Sequence, residues 1–453
     1  MGGSSRLGRE ALVVGGGIGG LAAACALSNH FERVTILERD EAPDSPAVPR
    51  PGVPQGKQLH ALLAGGHRAL DELFPGVVDD LDEAGAPRLT QGLDLRIERP
   101  GFDPFVQRDL GFYSYGVTRP QLEFCVRRRV EALGNVRFEA GCRVLGPVST
   151  TDEKAIGGVR CQRGGRSETR SAELVVDASG TGELTLAALR ATGHTGTAGV
   201  PETTIGVDIG YSSAVFDIPA DASRGWKGVI HLPDAPRTSR NGLLFPVEGH
   251  RWMLALGGRH DDHPPGDEAG FREYAATLRT RTIADAIGPA KMISRVDRFR
   301  FLESRLRHFE RVPSFPGGLL PIGDAICRFN PVFGQGMTVA ALQALALAHV
   351  LAAAANAGET VESVRRPFFE EVAAIVDTPW ALAAVPDFVY PRTVGERPAD
   401  FVASLRFGAA LTRATVRHAD LHKLVAEIQN LMRPRSALRE PQFLERILAE
   451  MAS

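Results

Sequence analysis

The stretch from Ala11 to Asp40 constrains the fold more than any other. Ala11-Leu12-Val13-Val14 has the continuous apolar character of a buried strand, Gly15-Gly16-Gly17-Ile18-Gly19-Gly20 is a glycine turn, and Leu21 to Ser28 is the alanine-rich helix that the turn opens. A second strand follows at Arg33-Val34-Thr35-Ile36-Leu37 and ends on Glu38. Three of the glycines answer separate needs: Gly15 permits the tight turn, Gly17 lets backbone approach a pyrophosphate, and Gly20 lets helix and strand pack closely. The helix N-terminus offers N–H groups and the positive end of its dipole to the phosphates. Glu38 is placed to accept hydrogen bonds from a ribose. A glycine triplet alone could be only a structural turn; with strand, helix and acid in register it predicts a dinucleotide site.

A chain of 453 residues, 43% of them hydrophobic, can bury a large core and divide into two or three lobes. Its net charge of -2 gives no electrostatic case for nucleic acid, and basic runs such as Arg127-Arg128-Arg129 read as the solvated face of a helix. Small molecules are the expected partners. The five cysteines, Cys25, Cys125, Cys142, Cys161 and Cys327, are scattered and form no Cys-x-x-Cys pair, which argues against a disulfide framework and a zinc site and for a reducing cytoplasm. Met1 to Glu10 lacks the apolar run of a signal peptide. Val339 to Ala355 approaches membrane length, but alanine dominates it and Gln343 and His349 interrupt it, so a buried helix is expected and no transmembrane segment.

After Glu38 comes a loop rich in proline and glycine, Ala42-Pro43-Asp44-Ser45-Pro46 and then Pro49 to Gly56, leading to an expected helix from Gln58 to about Phe74. Arg50 there either bridges a phosphate or substrate anion or is an ordinary solvated arginine. His60 and His67 fall on one side of the expected helix and read as packing or capping residues. Thr118 is a candidate N-cap for a helix carrying Leu122, Val126 and Val130, with Pro120 in its first turn. A strand from Val136 to Ala140 is expected to run on toward Arg143-Val144, and a strand pair to occupy Ala155 to Val176.

Two further stretches carry chemistry. Glu173 to Gly182 reads as a buried parallel strand ending on Asp177 and a small-residue turn, the place where open α/β sheets put ligands. Gly318 to Ala325 is an apolar strand ending in Gly323-Asp324, followed by Phe329-Asn330-Pro331-Val332-Phe333-Gly334-Gln335-Gly336-Met337 and a long helix from near Thr338. Asp324 can accept from a polyol, and the amides from Gly334 to Met337 face a group that gains negative charge. Between these stretches, Thr203 to Ile209, Val229 to Leu232, Leu243 to Val247 and Trp252 to Leu256 read as strands of an inserted, mostly antiparallel sheet, with a hairpin turn at Glu248-Gly249. His260-Asp261-Asp262-His263 reads as a polar loop, since ligands that adjacent rarely converge on one ion. The remainder is helical, with candidates at Arg365 to Val376, Asp400 to Arg413 and His418 to Met432, broken by Pro379, Pro386 and Pro391. His418 and His422 read as surface or capping residues, and no metal site is expected.

Taken together, these stretches resemble the flavoprotein monooxygenases of the para-hydroxybenzoate hydroxylase fold. Gly15 to Gly20 with Glu38 matches their FAD fingerprint, Gly323-Asp324 matches the motif whose acid binds the flavin ribitol, and Arg119 looks like the arginine that lies along the cofactor. The runs Arg50 to Gln55, Leu244 to Gly249 with Arg251-Trp252, and Pro321 to Pro331 look like the bacterial subgroup that includes the FAD-dependent epoxidases of polyether biosynthesis. The resemblance implies an α/β chain with a Rossmann-like FAD-binding domain over residues 1–182 and 296–356, a β-sheet substrate domain over 183–295, and a helical C-terminal region over 357–453. It implies a cofactor set of Gly15, Gly17, Ile18, Gly19, Gly20, Glu38, Arg39, Arg50, Arg119, Val144, Asp177, Gly323, Asp324, Gly334, Gly336 and Met337. Phe329, Pro331 and Phe333 would form the wall over the reacting ring, and Gly334 would begin the run of amides that stabilises its negative charge.

The activity implied is transfer of one oxygen atom from O2, through a flavin hydroperoxide, to an apolar substrate. Epoxidation of an alkene in a polyketide or isoprenoid product is favoured over aromatic hydroxylation, because no candidate base for deprotonating a phenol stands out. Aromatic hydroxylases of the fold carry Asp-Gly where this chain has Asp177-Ala178-Ser179-Gly180, a segment associated with both FAD and NADPH. Electrons from NAD(P)H therefore have two routes, directly or through a separate flavin reductase. A halogenase would show a Trp-x-Trp-x-Ile-Pro signature, whereas Trp226, Trp252 and Trp380 are isolated. The other rivals are an isoprenoid-type dehydrogenase or saturase and a non-redox cyclase that retains FAD as structure.

Overall fold

The computed structural model describes residues 6–41, 45, 49–193, 199–220 and 224–452; of the expected loop after Glu38, Ala42, Pro43, Asp44 and Pro46 lie outside them. The chain opens with β1 (Gly8–Val14), α1 (Ile18–Ser28) and β2 (Phe31–Leu37). It continues through β3 (Ala61–Leu62), α2 (Ala64–Leu73), α3 (Val77–Glu83), β4 (Arg88–Thr90), β5 (Leu95–Glu98), β6 (Tyr113–Gly116) and α4 (Arg119–Glu131). Then come β7 (Val136–Glu139), β8 (Cys142–Ser149), β9 (Ile156–Arg163), β10 (Arg166–Ser171), β11 (Leu174–Asp177) and α5 (Glu183–Ala191). The middle of the chain holds β12 (Glu202–Asp217), β13 (Gly228–His231), β14 (Asn241–Val247), β15 (Arg251–Arg259), α6 (Glu268–Ala276), α7 (Thr282–Ile287) and β16 (Asp297–Arg307). Last are β17 (Leu319–Pro321), β18 (Cys327–Arg328), α8 (Gly336–Ala357), α9 (Arg365–Ala383), α10 (Phe401–Arg417), α11 (Ala419–Gln429) and α12 (Pro441–Ala452).

One sheet is wholly parallel, in the order β17-β11-β1-β2-β7. Its inner strands are buried, with α1 packed on them and the separate β10-β9-β8 sheet packed against β11 and β2. The buried α8 packs on α1, α2 and α9. Val14, Leu37, Asp177 and Pro321 end four neighbouring strands at one edge, so the turns that follow, Gly15, Glu38, Ala178 and Gly323-Asp324, gather at the carboxyl ends where such sheets bind ligands.

The other large sheet has seven strands, β18-β16-β12-β15-β14-β13-β5, antiparallel except for the β13–β5 pair. It draws β5 from far upstream and β16 and β18 from beyond residue 295, so it is not confined to residues 183–295. Period-2 alternation divides its faces. Ala214, Phe216, Leu254 and Leu256 pack against α6 and α7 through Phe271, Tyr274 and Ile283. Tyr211 and Ser213, with their cross-strand partners Phe299 and Ala255, face the other way. Glu248, in the β14–β15 hairpin, accepts from Thr118 N at 3.0 Å and Thr118 Oγ1 at 2.6 Å, pinning this sheet to the start of α4. Thr118 thus occupies the N-cap position without using its own side chain as the cap.

Several expected elements differ. The helix expected from Gln58 begins only at Ala64, because Ala61 and Leu62 pair with Tyr115 and Gly116 on β6; His60 therefore lies off the helix that carries His67. Asn430 caps that helix, taking Ala64 N on its side chain at 3.2 Å and Gly65 N on its carbonyl at 2.9 Å. The strand expected to continue to Val144 is broken at Gly141, whose φ of 65° turns β7 in the parallel sheet into β8 of a separate one. Pro379 sits inside α9 rather than ending it: Phe368, Phe369, Val372, Val376 and Ala383 are buried on both sides of it, which offsets the lost backbone hydrogen bond. His422 is buried against Phe105, not at the surface, and burial holds it down to about 4. All five cysteines are buried free thiols.

Candidate active site

A single cleft of about 610 Å³ runs from the glycine turn to the seven-stranded sheet. At the first end, Gly15 has a φ of 105°, and a methyl group on Gly20 would lie 1.8 Å from Gly15 O, so both positions exclude side chains for reasons of backbone. Gly17 is different. It has ordinary extended backbone, and the atoms nearest a methyl there would be Arg119 Nη2 at 3.6 Å and Arg50 Nη2 at 3.9 Å. It is also the N-cap of α1, and among the described residues no side chain caps that helix, so its first N–H groups face the cleft beside two guanidinium groups.

Behind the turn runs a buried ladder of alternating charge. Glu38 Oε2 accepts from Gly16 N at 2.6 Å and pairs with Arg50 Nη1 at 2.9 Å, and Glu38 Oε1 accepts from Asp40 N at 3.0 Å. Arg50 also donates from Nε and Nη2 to Glu123 Oε2, at 3.1 and 2.9 Å, and from Nη2 to Gly16 O at 3.2 Å. Glu123 Oε1 then accepts from Arg119 Nε at 2.8 Å. Arg50 is therefore neither solvated nor free to reach an anion: it links the acid at the end of β2 to the glycine turn. Arg119 keeps both terminal nitrogens unpaired among the described residues. Burial pushes the Glu123 carboxyl up, but Arg119 and Arg50 pull harder, and the net position is below the ordinary range.

Midway, β17 delivers Asp324. Gly323, with a φ of 67°, donates its N–H to Gln343 Oε1 at 2.7 Å, which fixes the turn to α8. Asp324 lines the cleft with no hydrogen-bond partner among the described residues, and burial raises its carboxyl above the ordinary value. Ile18, Gly19, Arg39, Val144, Gly334, Gly336 and Met337 also line the cleft. Asp177 does not. Its Oδ1 accepts from Ser179 N and Oγ at 3.1 and 2.6 Å and its Oδ2 from Thr185 N and Oγ1 at 3.0 and 2.7 Å, so it shapes the turn from behind while Ala178, Ser179 and Gly180 face the cavity.

At the far end the floor is one face of the sheet: Tyr211, Leu243, Ala255 and Phe299. Phe329, Pro331 and Val332 stand over it. Phe333 was expected in that wall, but the tight turn at Pro331–Phe333 points it outward, where it is 38% exposed, and Val332 takes its place. A buried polar knot holds this turn. Tyr211 Oη donates to Asn330 Oδ1 at 2.6 Å, Val332 N donates to the same oxygen at 3.1 Å, and Asn330 Nδ2 reaches both oxygens of Asp387 at 3.3 Å. Asp387 pairs with Arg259, which lies over the Tyr390 ring. Sequence reading placed no function on Tyr211, Gln58 or Asp387. No motif marks them, since they come from a sheet face, a turn and a C-terminal segment that meet only in the fold. Glu123 was legible in principle, four residues after Arg119 on one helix.

Residues 9–373 match the FAD binding domain family. The chain is 33% identical over 420 residues to Protein Rv3254 of Mycobacterium tuberculosis (strain ATCC 25618 / H37Rv), covering 89% of this chain and 86% of that protein. Among solved structures it is similar to p-nitrophenol 4-monooxygenase PnpA from Pseudomonas putida DLL-E4, with a TM-score of 0.66 at 17% identity over 94% of this chain and 99% of that one. The flavin-dependent brominase Bmp2 gives a TM-score of 0.66 at 15% identity, over 94% of each chain. The Diels-Alderase PyrE3 of pyrroindomycin biosynthesis gives 0.60 at 20%, over 93% of this chain and 80% of that one. At such identities these structures establish the fold. With the glycine turn, the acid of β2 and Asp324 gathered at one sheet edge, the chain belongs to the FAD binding domain family and has the para-hydroxybenzoate hydroxylase type of fold.

Proposed function

We propose that this protein is an FAD-dependent monooxygenase that places one oxygen atom from O2 on an apolar small molecule, and that the reaction is epoxidation of an alkene in a polyketide or isoprenoid product. The observation that carries the reading is the continuity of the cleft: one cavity joins a dinucleotide-binding turn to an apolar chamber floored by Tyr211, Leu243, Ala255 and Phe299. FAD fits the residues present. The bare methyl position at Gly17, the uncapped start of α1 and the free terminal nitrogens of Arg119 suit a pyrophosphate, and the unpartnered Asp324 suits a polyol. Glu38, held by Gly16 and Arg50, would take the ribose, while Ile18, Gly19, Arg39 and Val144 would line the remainder.

Bound and reduced, FAD supplies the two electrons that activate O2. The chain does the rest. Phe329, Pro331 and Val332 would exclude water from the reacting end of the bound group, and the uncapped amides of Gly336 and Met337 at the start of α8 would stabilise negative charge there, the Gly334 amide being taken by Pro331 O. His60 lines the cleft, but burial first and Arg119 second hold it down to about 4, too weak a base to deprotonate a phenol near neutral pH. That favours an alkene over a phenol and supports the likeness to the polyether epoxidase subgroup. Electrons would come from NAD(P)H, directly or through a separate flavin reductase, which places the reaction in the cytoplasm. One observation favours a second reading, a non-redox cyclase that keeps FAD as structure: the same fold carries the Diels-Alderase PyrE3.

The test uses the FAD-loaded protein under 18O2, reduced either by NADPH or by an added flavin reductase, with a panel of apolar alkenes and phenols. The expected result is an epoxide, formed from an alkene of the panel, carrying one 18O atom. Product formed without oxygen while the flavin stays oxidised would replace this reading with the cyclase.

A further inference from the structure

The polar side chains of the chamber have been committed unevenly. Four belong to the sheet floor and to the two segments packed on it: Gln58, His60, Tyr211 and Asn330. Gln58 is held at both ends, its Oε1 accepting from Ser213 Oγ at 2.7 Å and its Nε2 donating to Asp297 O at 3.1 Å. Asn330 is held at both ends by Tyr211, Val332 and Asp387, and the Tyr211 O–H is committed as a donor to Asn330 Oδ1. His60 is held at one end only. Its Nδ1 lies 2.8 Å from Gln58 O, a carbonyl that only accepts, so the proton sits on Nδ1 and Nε2 carries a lone pair. Nε2 has no partner among the described residues, on a side chain that lines the cleft.

We infer that His60 Nε2 is the substrate-orienting acceptor of the chamber, and that the substrate is an apolar body carrying one hydroxyl or N–H donor. This deepens the proposed function and rests on it for the place of the substrate. Among the four, His60 is the side chain with a ring nitrogen that no protein group holds, the Nε2 lone pair; Gln58 Nε2 keeps one N–H beyond the one given to Asp297 O, and the Tyr211 oxygen keeps a lone pair. A ligand that brings only acceptors, such as a ketone or an ether, finds at most the second N–H of Gln58 on the floor and leaves His60 Nε2 unpaired. A ligand that brings a donor exchanges water for His60. The charged groups that act on His60, Arg119 and Glu123, are themselves paired with each other, and burial keeps the imidazole neutral near pH 7, so the acceptor persists. Gln55 and Gln335, the other amides of the cleft, can flip between donor and acceptor and do not discriminate. The sequence placed His60 on a helix as a packing residue. Its displacement from α2 by the short β3 pairing is what puts it in the cleft.

The test is equilibrium binding to the oxidised, FAD-loaded protein, read from the perturbation of flavin absorbance. Three matched probes are used: 2-naphthol (donor), 2-methoxynaphthalene (no donor) and 2-acetylnaphthalene (acceptor). Wild type is expected to bind 2-naphthol about tenfold more tightly than either of the others. His60→Phe is expected to bring the three within about twofold of one another, and His60→Gln, whose amide can accept or donate, to keep 2-naphthol binding while tightening 2-acetylnaphthalene. Where His60→Phe does not fold or load FAD, the wild-type order and His60→Gln decide. Equal affinities in wild type, no saturable binding of 2-naphthol, or an undiminished preference in His60→Phe would overturn the inference. Because no turnover is involved, a chain that fails the 18O test can still discriminate among the probes. Incorporation of 18O without discrimination would sink only the role of His60.

Discussion

At its glycine end the cleft is walled by paired charges, Glu38, Arg50, Glu123 and Arg119, and by backbone held in conformations that only glycine adopts. At its sheet end the walls are apolar side chains, and the polar ones present are tied to one another through Asn330. The first end binds by fixed backbone and charge; the second binds by shape, with one acceptor for orientation. The comparison locates tolerance to change. Substitution at the glycine end, Gly17 excepted, strikes backbone or buried charge and costs stability, whereas substitution in the chamber changes what is bound while the fold survives.

The sharpest test of that division sets two glycines of one turn against each other. A side chain on Gly20 meets Gly15 O, with the methyl carbon 1.8 Å from it, and neither backbone can yield. Gly20→Val is expected to cost on the order of 4 kcal/mol or more and to leave little folded protein. Gly17→Ala, on extended backbone with the nearest atom 3.6 Å away, is expected to change apoprotein stability by less than about 1 kcal/mol. It should nevertheless abolish the yellow flavin absorbance, since the methyl occupies the approach of the pyrophosphate. Denaturant melts of the apoproteins and flavin content after reconstitution check both. A stable, yellow Gly20→Val or an unfolded Gly17→Ala would break the distinction.

This turn is also where the sequence was most legible, and the reason is physical. A pyrophosphate site is made by contiguous backbone, so the glycines that build it stand within six positions, and the acid follows on the next strand. Asp324 was legible for the same reason, as the last residues of an apolar strand. The chamber is made by side chains from β12, β14, β15 and β16, whose alternation records only that one face is buried and not what it faces. Asp177 shows the limit within the legible part: the end of a parallel strand was the right place for a ligand-facing turn, but its carboxylate is consumed by Ser179 and Thr185. His60 shows it again, because an apolar run that reads as helix was diverted into a two-residue strand by β6.

Glu123 tests the charge ladder. It is the shared partner of Arg50 and Arg119, its side chain 11% exposed, so Glu123→Gln leaves Arg119 without its carboxylate and Arg50 with Glu38 and, at 3.9 Å, Asp40, and is expected to cost roughly 3 kcal/mol. The pH dependence has a definite sign. Because the folded carboxyl titrates below its unfolded value of about 4.3, its contribution is complete above that value and is lost as pH falls through the folded one. The gap in melting temperature between wild type and Glu123→Gln should therefore be constant near neutrality and narrow at acid pH. A gap that does not change with pH would mean that the ladder contributes by shape and not by charge.

The smallest expected effect separates two phenylalanines of one turn. Phe333 is 38% exposed and outside the cleft, so Phe333→Ala should alter stability by no more than about 0.5 kcal/mol and leave substrate turnover unchanged. Phe329 is 7% exposed, leans on Trp380 with ring centroids 6.4 Å apart, and lines the cleft. Phe329→Ala opens the wall over the ring to water, and besides about 3 kcal/mol of lost packing it should raise the hydrogen peroxide released per nicotinamide oxidised. Peroxide yield is the discriminating measurement, because a purely structural loss lowers the amount of active enzyme without changing how its electrons divide. If Phe333→Ala uncouples the reaction and Phe329→Ala does not, the turn at Pro331 must invert when FAD binds, with Phe333 in the wall of the chamber and Phe329 outside it.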